Sequence, residues 1–245
     1  MKKVLASTGI GNATVDTVLP ATTVTPGETV EASVQITGGT AEQVVEEVRL
    51  ALETRAKTAD GYTDVGIARF TLAESVTIEP ETDERYPADI DIPYQTLVTL
   101  GSTRVWIETE LNIDLAVDPE DTDHLEVEPT PRLRAVFDAL EELGFSFRAA
   151  DCEYDPYGRY TDGRQFVQEF EFRPQSGSFV GNADEVELVA RTDAKGLTVF
   201  VEVYKRSGML SELAETDEWV TRTTTENTDV TTISERLRSL IEERV

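Results

Sequence analysis

Asp118, Glu120, Asp121 and Asp123 place four carboxylates within one short stretch. Hard oxygens at such spacing are what calcium gathers, so these residues are the metal candidates of the chain. The stretch lacks the glycine at the sixth loop position and the correctly spaced terminal glutamate of an EF-hand, and no metal site is assigned to it. The plainer reading is an acidic connector that caps and orients the helix after it. A calcium- or small-ligand-responsive sensor stands as the alternative function. His124 is the only histidine and Cys152 the only cysteine, too few soft ligands for a structural zinc site. The two allow a Cys-His hydrolase dyad on paper; a buried cysteine and a histidine at a strand end account for them without chemistry. No serine lies in a G-x-S-x-G elbow. Gly9-Ile-Gly11 has no following helix and no phosphate-loop lysine, and reads as a bend into the first strand. With 48 acidic residues in the chain, paired carboxylates for glycoside cleavage carry almost no information. The expectation is a protein without a catalytic set and without a cofactor, not an enzyme.

The charge balance narrows the partners. Against 48 Asp and Glu stand 22 Lys and Arg, for a net charge of -26. Such a surface repels phosphate backbones and anionic membranes, which argues against nucleic acid. Lysine occurs only at Lys2, Lys3, Lys57, Lys195 and Lys205, the other cations being arginine. Few lysines, many carboxylates and thinned aliphatics suit a halophilic setting, because at molar salt the Debye length is about 3 Å and dense carboxylates cost little repulsion. A single cysteine excludes an intrachain disulfide and fits a reducing cytoplasm. The apolar run Val4-Leu5-Ala6 is too short for a signal peptide, and no run approaches the ~20 residues of a membrane span.

The elements that would position any site are mostly strands. Period-2 runs cover Thr14 to Leu19, Thr29 to Ile36, Val44 to Ala56, Val65 to Ile78, Arg85 to Ile92 and Arg104 to Ala116. Pro26-Gly27, Gly38-Gly39 and Asp60-Gly61 punctuate them as turns. Strands resume at Ser146 to Tyr154, Arg164 to Phe172, Val186 to Arg191 and Leu197 to Tyr204. Between the halves, Asp118 to Pro129 reads as a polar connection. Thr130 to Gly144 then reads as a helix: Thr130 caps, Pro131 suits the first position, Leu133, Val136, Phe137, Leu140 and Leu143 form the stripe, and Gly144 ends it. A last helix is expected over Ile233 to Arg244, with Thr232 and Glu235 as its capping box. Strands of this kind without interleaved helices predict an all-β protein of two antiparallel β-sandwich domains in tandem, with one interdomain and one C-terminal helix. The expected limits are 1–125 for the first sandwich, 126–145 for connector and helix, and 146–245 for the second sandwich.

Several blocks, in order, carry a resemblance. Leu5-Ala-Ser-Thr-Gly-Ile-Gly11 with Val15-Asp-Thr17, Pro26-Gly-Glu28, Leu72 to Glu79, Ile92-Pro-Tyr94, Val105-Trp-Ile107 and Ala116-Val-Asp-Pro-Glu-Asp-Thr-Asp123 open it. Glu126-Val-Glu-Pro129, Ala139-Leu-Glu-Glu-Leu-Gly-Phe145, Asp151-Cys-Glu-Tyr154, Phe166-Val-Gln-Glu-Phe-Glu-Phe172 and Asp184-Glu185 continue it. Together they resemble the sporulation-control M-type family over nearly the whole chain. That resemblance implies an arrestin-like fold and a non-enzymatic regulatory adaptor or scaffold, binding a protein partner through sheet edges or the interdomain cleft. Tyr204 stands where the family pattern leads one to expect an acidic residue beside Lys205 and Arg206. Trp219, set among Glu215, Asp217 and Glu218, is the candidate partner contact. Residues 1–128 carry net -17, which favours a partner segment bearing Arg or Lys. The partner's identity and any homo-oligomer stay open at this level.

Overall fold

The computed structural model describes residues 13–113, 118–158, 160–161, 163–205 and 221–245. In chain order these contain β1 (Thr14–Val18), β2 (Thr23–Val24), β3 (Thr29–Thr37), β4 (Gln43–Thr58), β5 (Gly61–Ile78), β6 (Asp83–Asp91), β7 (Val105–Ile113) and β8 (Glu120–Val127). After these come α1 (Pro131–Glu142), β9 (Phe145–Tyr154), β10 (Phe166–Pro174), β11 (Glu185–Thr192), β12 (Leu197–Tyr204), β13 (Thr221–Thr225) and α2 (Val230–Glu242). The chain divides into two compact units: one takes the described residues of Met1–Arg55, Asp64–Thr99 and Arg104–Glu128, the other those of Ala56–Thr63, Leu100–Thr103 and Pro129–Val245. Both are built on antiparallel sheets, the tandem all-β class that the strand pattern indicates. Neither described helix is long and apolar enough to cross a membrane.

In the first unit, β1, β3 and β6 form a three-stranded antiparallel sheet. The second layer runs β4–β7–β8–β2, with β5 paired to β4. Alternation sorts the side chains. Val34 and Ile36 on one sheet and Val48, Leu50, Leu52, Ile107 and Leu111 on the other are at most 1% exposed. Burying each such side chain stabilises by about 1.5–3 kcal/mol. An extra residue in β4 between Val45 and Glu47 shifts the register with β7. That bulge moves the buried set from Val45 onto the even positions Val48, Leu50 and Leu52. Thr17 and Thr109 meet through a buried hydroxyl–hydroxyl hydrogen bond of 2.7 Å between β1 and β7.

In the second unit, β9 to β13 form one antiparallel run in sequence order. Its inner face carries Phe170, Phe172, Val186, Leu188, Val199 and Val201, all at most 2% exposed. The two helices supply the facing apolar stripes, Leu133, Val136, Ala139 and Leu140 on α1 and Ile233, Leu237 and Ile241 on α2. Phe137 stands edge-on to Phe170 with centroids 5.0 Å apart. As the sequence predicts, Thr130 caps α1, its hydroxyl accepting from the Leu133 N–H. Gly144, at φ +88, ends the helix where a Cβ would meet the Ser176 carbonyl oxygen at 2.3 Å.

Three local expectations are corrected. The stretch Asp118 to Pro129 is not a mere connector, because Glu120–Val127 is a strand paired antiparallel with β7 and parallel with β2. α2 begins at Val230, earlier than expected, because the Asp229 carboxylate rather than Thr232 caps it, accepting from the Thr232 N–H at 3.1 Å. β2 and β13 lie outside the strand runs legible in the sequence; Thr221–Thr225 is a run of threonines and one arginine with no apolar alternation, held by its pairing with β12.

Candidate functional site

The four metal candidates do not converge. The Asp118 carboxylate accepts from the Ile113 N–H at 2.8 Å. Glu120 lies in β8 opposite Glu110. Strand alternation puts Asp121 and Asp123 on the other face, where Asp121 accepts from the Thr17 N–H at 2.7 Å. Burial, with Asp121 and Asp16 close by, pushes the Asp123 carboxyl up to about 6. His124 sits opposite Trp106, the rings edge-on at 6.2 Å. Cys152 is buried in β9 of the second unit at 3% exposure. Trp219, Gly9 and Gly11 lie outside the described residues. Tyr204 ends β12, its hydroxyl donating to the Glu187 carboxylate at 3.0 Å. Burial beside Glu187 and Glu202 raises the Tyr204 phenol well above its ordinary value.

The structure brings other residues forward. On the open face of the second unit's sheet, alternation gathers Glu169 and Glu171 of β10, Glu185 and Glu187 of β11 and Glu202 of β12. Glu187 lies directly opposite Glu202 on one side and Glu171 on the other. Like charges so placed repel. Burial first, then Glu187, Glu153, Glu202 and Glu171, push Glu169 up to about 7. Burial also raises Glu187, although the Tyr204 hydrogen bond pulls the other way. Glu171, Glu185 and Glu187 offer oxygens within 4.8 Å of one another, the arrangement among the described residues that could hold a cation. Two of them are already engaged, Glu185 with Arg173 at 2.7 Å and Glu187 with Tyr204. The alternating Val167-Gln-Glu-Phe-Glu-Phe172 pattern was the sequence signal for this face.

The first unit's distinctive surface is β5. Gly61, at φ +136, turns the chain out of β4, and the Thr58 hydroxyl donates to its carbonyl at 3.1 Å. Arg55 then holds Asp64 through two hydrogen bonds of 2.6 and 3.0 Å, and Thr71 donates to Glu47 at 2.6 Å. Beyond β4, β5 has no second neighbour among the described strands. Along it Val65, Ile67, Phe70, Leu72 and Val76 are each only half-buried. The strand runs 18 residues without lysine or proline, two of the devices that blunt an edge; Asp64, Arg69 and Glu74 place charge along it, and Ser75 sits at φ +54 near its end. The run Val65 to Ile78 is legible as a strand; that it lies at an edge depends on the non-local pairing of β4 with β7.

The likenesses to known proteins agree with this architecture. The family model described as SpoOM protein matches residues 1–207. A curated relative, the sporulation-control protein spo0M of Bacillus subtilis (strain 168), is 36% identical over 229 residues, covering 90% of this chain and 88% of its own. The crystal structure of Spo0M, sporulation control protein, from Bacillus subtilis matches with a TM-score of 0.86 at 33% identity, covering 96% of this chain and 100% of that one. Both similar proteins are named for sporulation control. The chain belongs to the SpoOM family of sporulation-control proteins.

Proposed function

We propose that this chain is a non-enzymatic regulatory adaptor that holds an extended segment of a partner protein along the edge of β5. The observation that carries the reading is the edge itself: 18 residues long, paired on one side among the described strands, and lined by half-buried apolar side chains. Unpaired N–H and C=O groups on such an edge accept a further strand, and alternate side chains give selectivity. The net -17 of residues 1–128 favours a segment carrying Arg or Lys. At molar salt long-range attraction fades and apolar burial holds the complex.

The test is capture from the host cytoplasm in high salt by the tagged full chain and by an I67K/L72K variant. The expected result is a protein retained by the parent and lost by the variant without added metal. Equal retention by both, recovery of nucleic acid alone, or a strict calcium requirement would overturn it.

A further inference from the structure

Within the second unit, α1 leaves part of the sheet's inner face uncovered. A groove of about 400 Å³ opens there, floored by Leu100, Phe137, Phe147 and Phe172. Its volume is of the size that takes one large side chain and its neighbours. Phe147 is 43% exposed although it points to the apolar side, its ring 5.8 Å from that of Phe172. The cause is a bulge. Phe172 pairs with Phe147 but Glu171 with Ala149, which leaves Arg148 as an inserted residue. The insertion keeps Phe147 on the same face as Ala150 and Cys152 despite the odd spacing. On the side of β9 away from β10, Lys57 pairs with Glu153 and the Ser102 N–H donates to the Ala150 carbonyl at 3.0 Å. Ser146 to Arg148 have no such neighbour on that side among the described residues, which leaves this stretch for main-chain bonding.

The rim says what would enter. Arg134, Asp138 and Glu141 line the groove from α1, and all three are exposed. Glu141 lies in the last turn of the helix, where the macrodipole is negative and lysine or arginine is the usual complement. The last turn of α1 holds no basic residue. An apolar floor beside a rim that is acidic at the helix's C-terminal end, with Arg134 two turns back, fits an apolar anchor followed closely by a cation.

We propose that this groove is a second docking site, taking from a partner protein an extended segment with one aromatic or large aliphatic side chain and a lysine or arginine within two residues of it. The proposal deepens the adaptor reading and rests on it. The segment adds main-chain bonds at Ser146 to Arg148, its apolar side chain covers Phe147 and Phe172, and its cation completes the end of α1.

A random peptide display library panned against the full chain tests this directly. The expected outcome is enrichment of apolar–basic pairs, with the selected peptides binding D138K/E141K and F147S on the order of tenfold more weakly. Exchange of the peptide's Lys for Glu should restore binding to D138K/E141K, a rescue that misfolding would not give. No apolar–basic enrichment, or equal binding by parent and variants, overturns the groove. A dimer seen by sedimentation and lost in D138K/E141K overturns it too, since the occupant would then be a second copy. Retention of captured proteins that still depends on β5 would leave the adaptor reading standing while the groove fell.

Discussion

The two faces of the β9–β13 sheet differ by a single step along each strand. Phe170 faces α1 and is 1% exposed; Glu169, its neighbour, faces out among Glu187, Glu202 and Glu171. One face repays burial through dispersion and the loss of apolar hydration. The other sets like charges directly opposite one another, which weakens pairing. The strand backbone is common to both, so side-chain chemistry alone makes one face the source of stability and the other a charge on it. The open face is tolerable because the closed one carries a surplus.

The comparison breaks most sharply in the core. Phe170→Ala should cost about 3–5 kcal/mol in urea unfolding, because it removes a ring packed on Phe137 and leaves a cavity. A loss under about 1 kcal/mol would mean the helices do not seal that face.

Salt addresses the opposite face. Raising monovalent salt from dilute to molar should lift the melting temperature by roughly 5 °C or more, as screening relieves the opposed glutamates and the net -26. A flat profile would show that the carboxylates already hold protons or counter-ions.

Proton uptake gives a smaller effect of known sign. Glu169 goes from 4.5 unfolded to about 7 folded, so the folded state binds the proton more tightly. Stability is then lost as pH climbs from about 4.5 toward 7 and is regained on acidification. Glu169→Gln should stabilise the protein at pH 8 by about 1 kcal/mol, after allowance for solvent screening, and flatten the pH profile of unfolding across that window. An unchanged slope would assign the pH dependence to Asp123, raised to about 6 in the other unit. The least of the effects is expected from Tyr204→Phe, which removes the hydrogen bond to Glu187 and should cost about half a kcal/mol at pH 8. NMR titration would show Glu187 shifted further upward, since that bond is what holds it down.

The sequence is clearest where local chemistry and tertiary role coincide. Thr130, Pro131 and the Leu133–Leu140 stripe announce α1 because the cap and the buried face are both local facts. β8 is illegible because only Leu125 and Val127 of its eight residues are buried; its strand character comes from its pairing with β7, from Glu110 with Glu120 to Val105 with Leu125. Phe147 is hidden for a related reason. Strict alternation puts it opposite Cys152, and only the bulge at Arg148 restores it to the apolar side. Among the acidic residues, Asp118 to Asp123 drew notice by density along the chain, whereas Glu169, Glu187 and Glu202 meet only once three strands pair. The edge of β5 is a property of sheet order, which no local pattern encodes.

The path of the chain through its two units also bears on how it is made. Ala56–Thr63 and Leu100–Thr103 belong with the later unit, though they leave the ribosome long before Pro129. The first unit thus emerges with two short pieces of its neighbour spliced into it, and these wait, uncovered, for the rest of that neighbour to be synthesised. Vectorial folding, in which an N-terminal domain finishes before the next begins, is the usual course for tandem domains. Here the second domain must collect parts delivered early. Cutting the gene after Glu128 would accordingly give one fragment with orphaned segments and another lacking them.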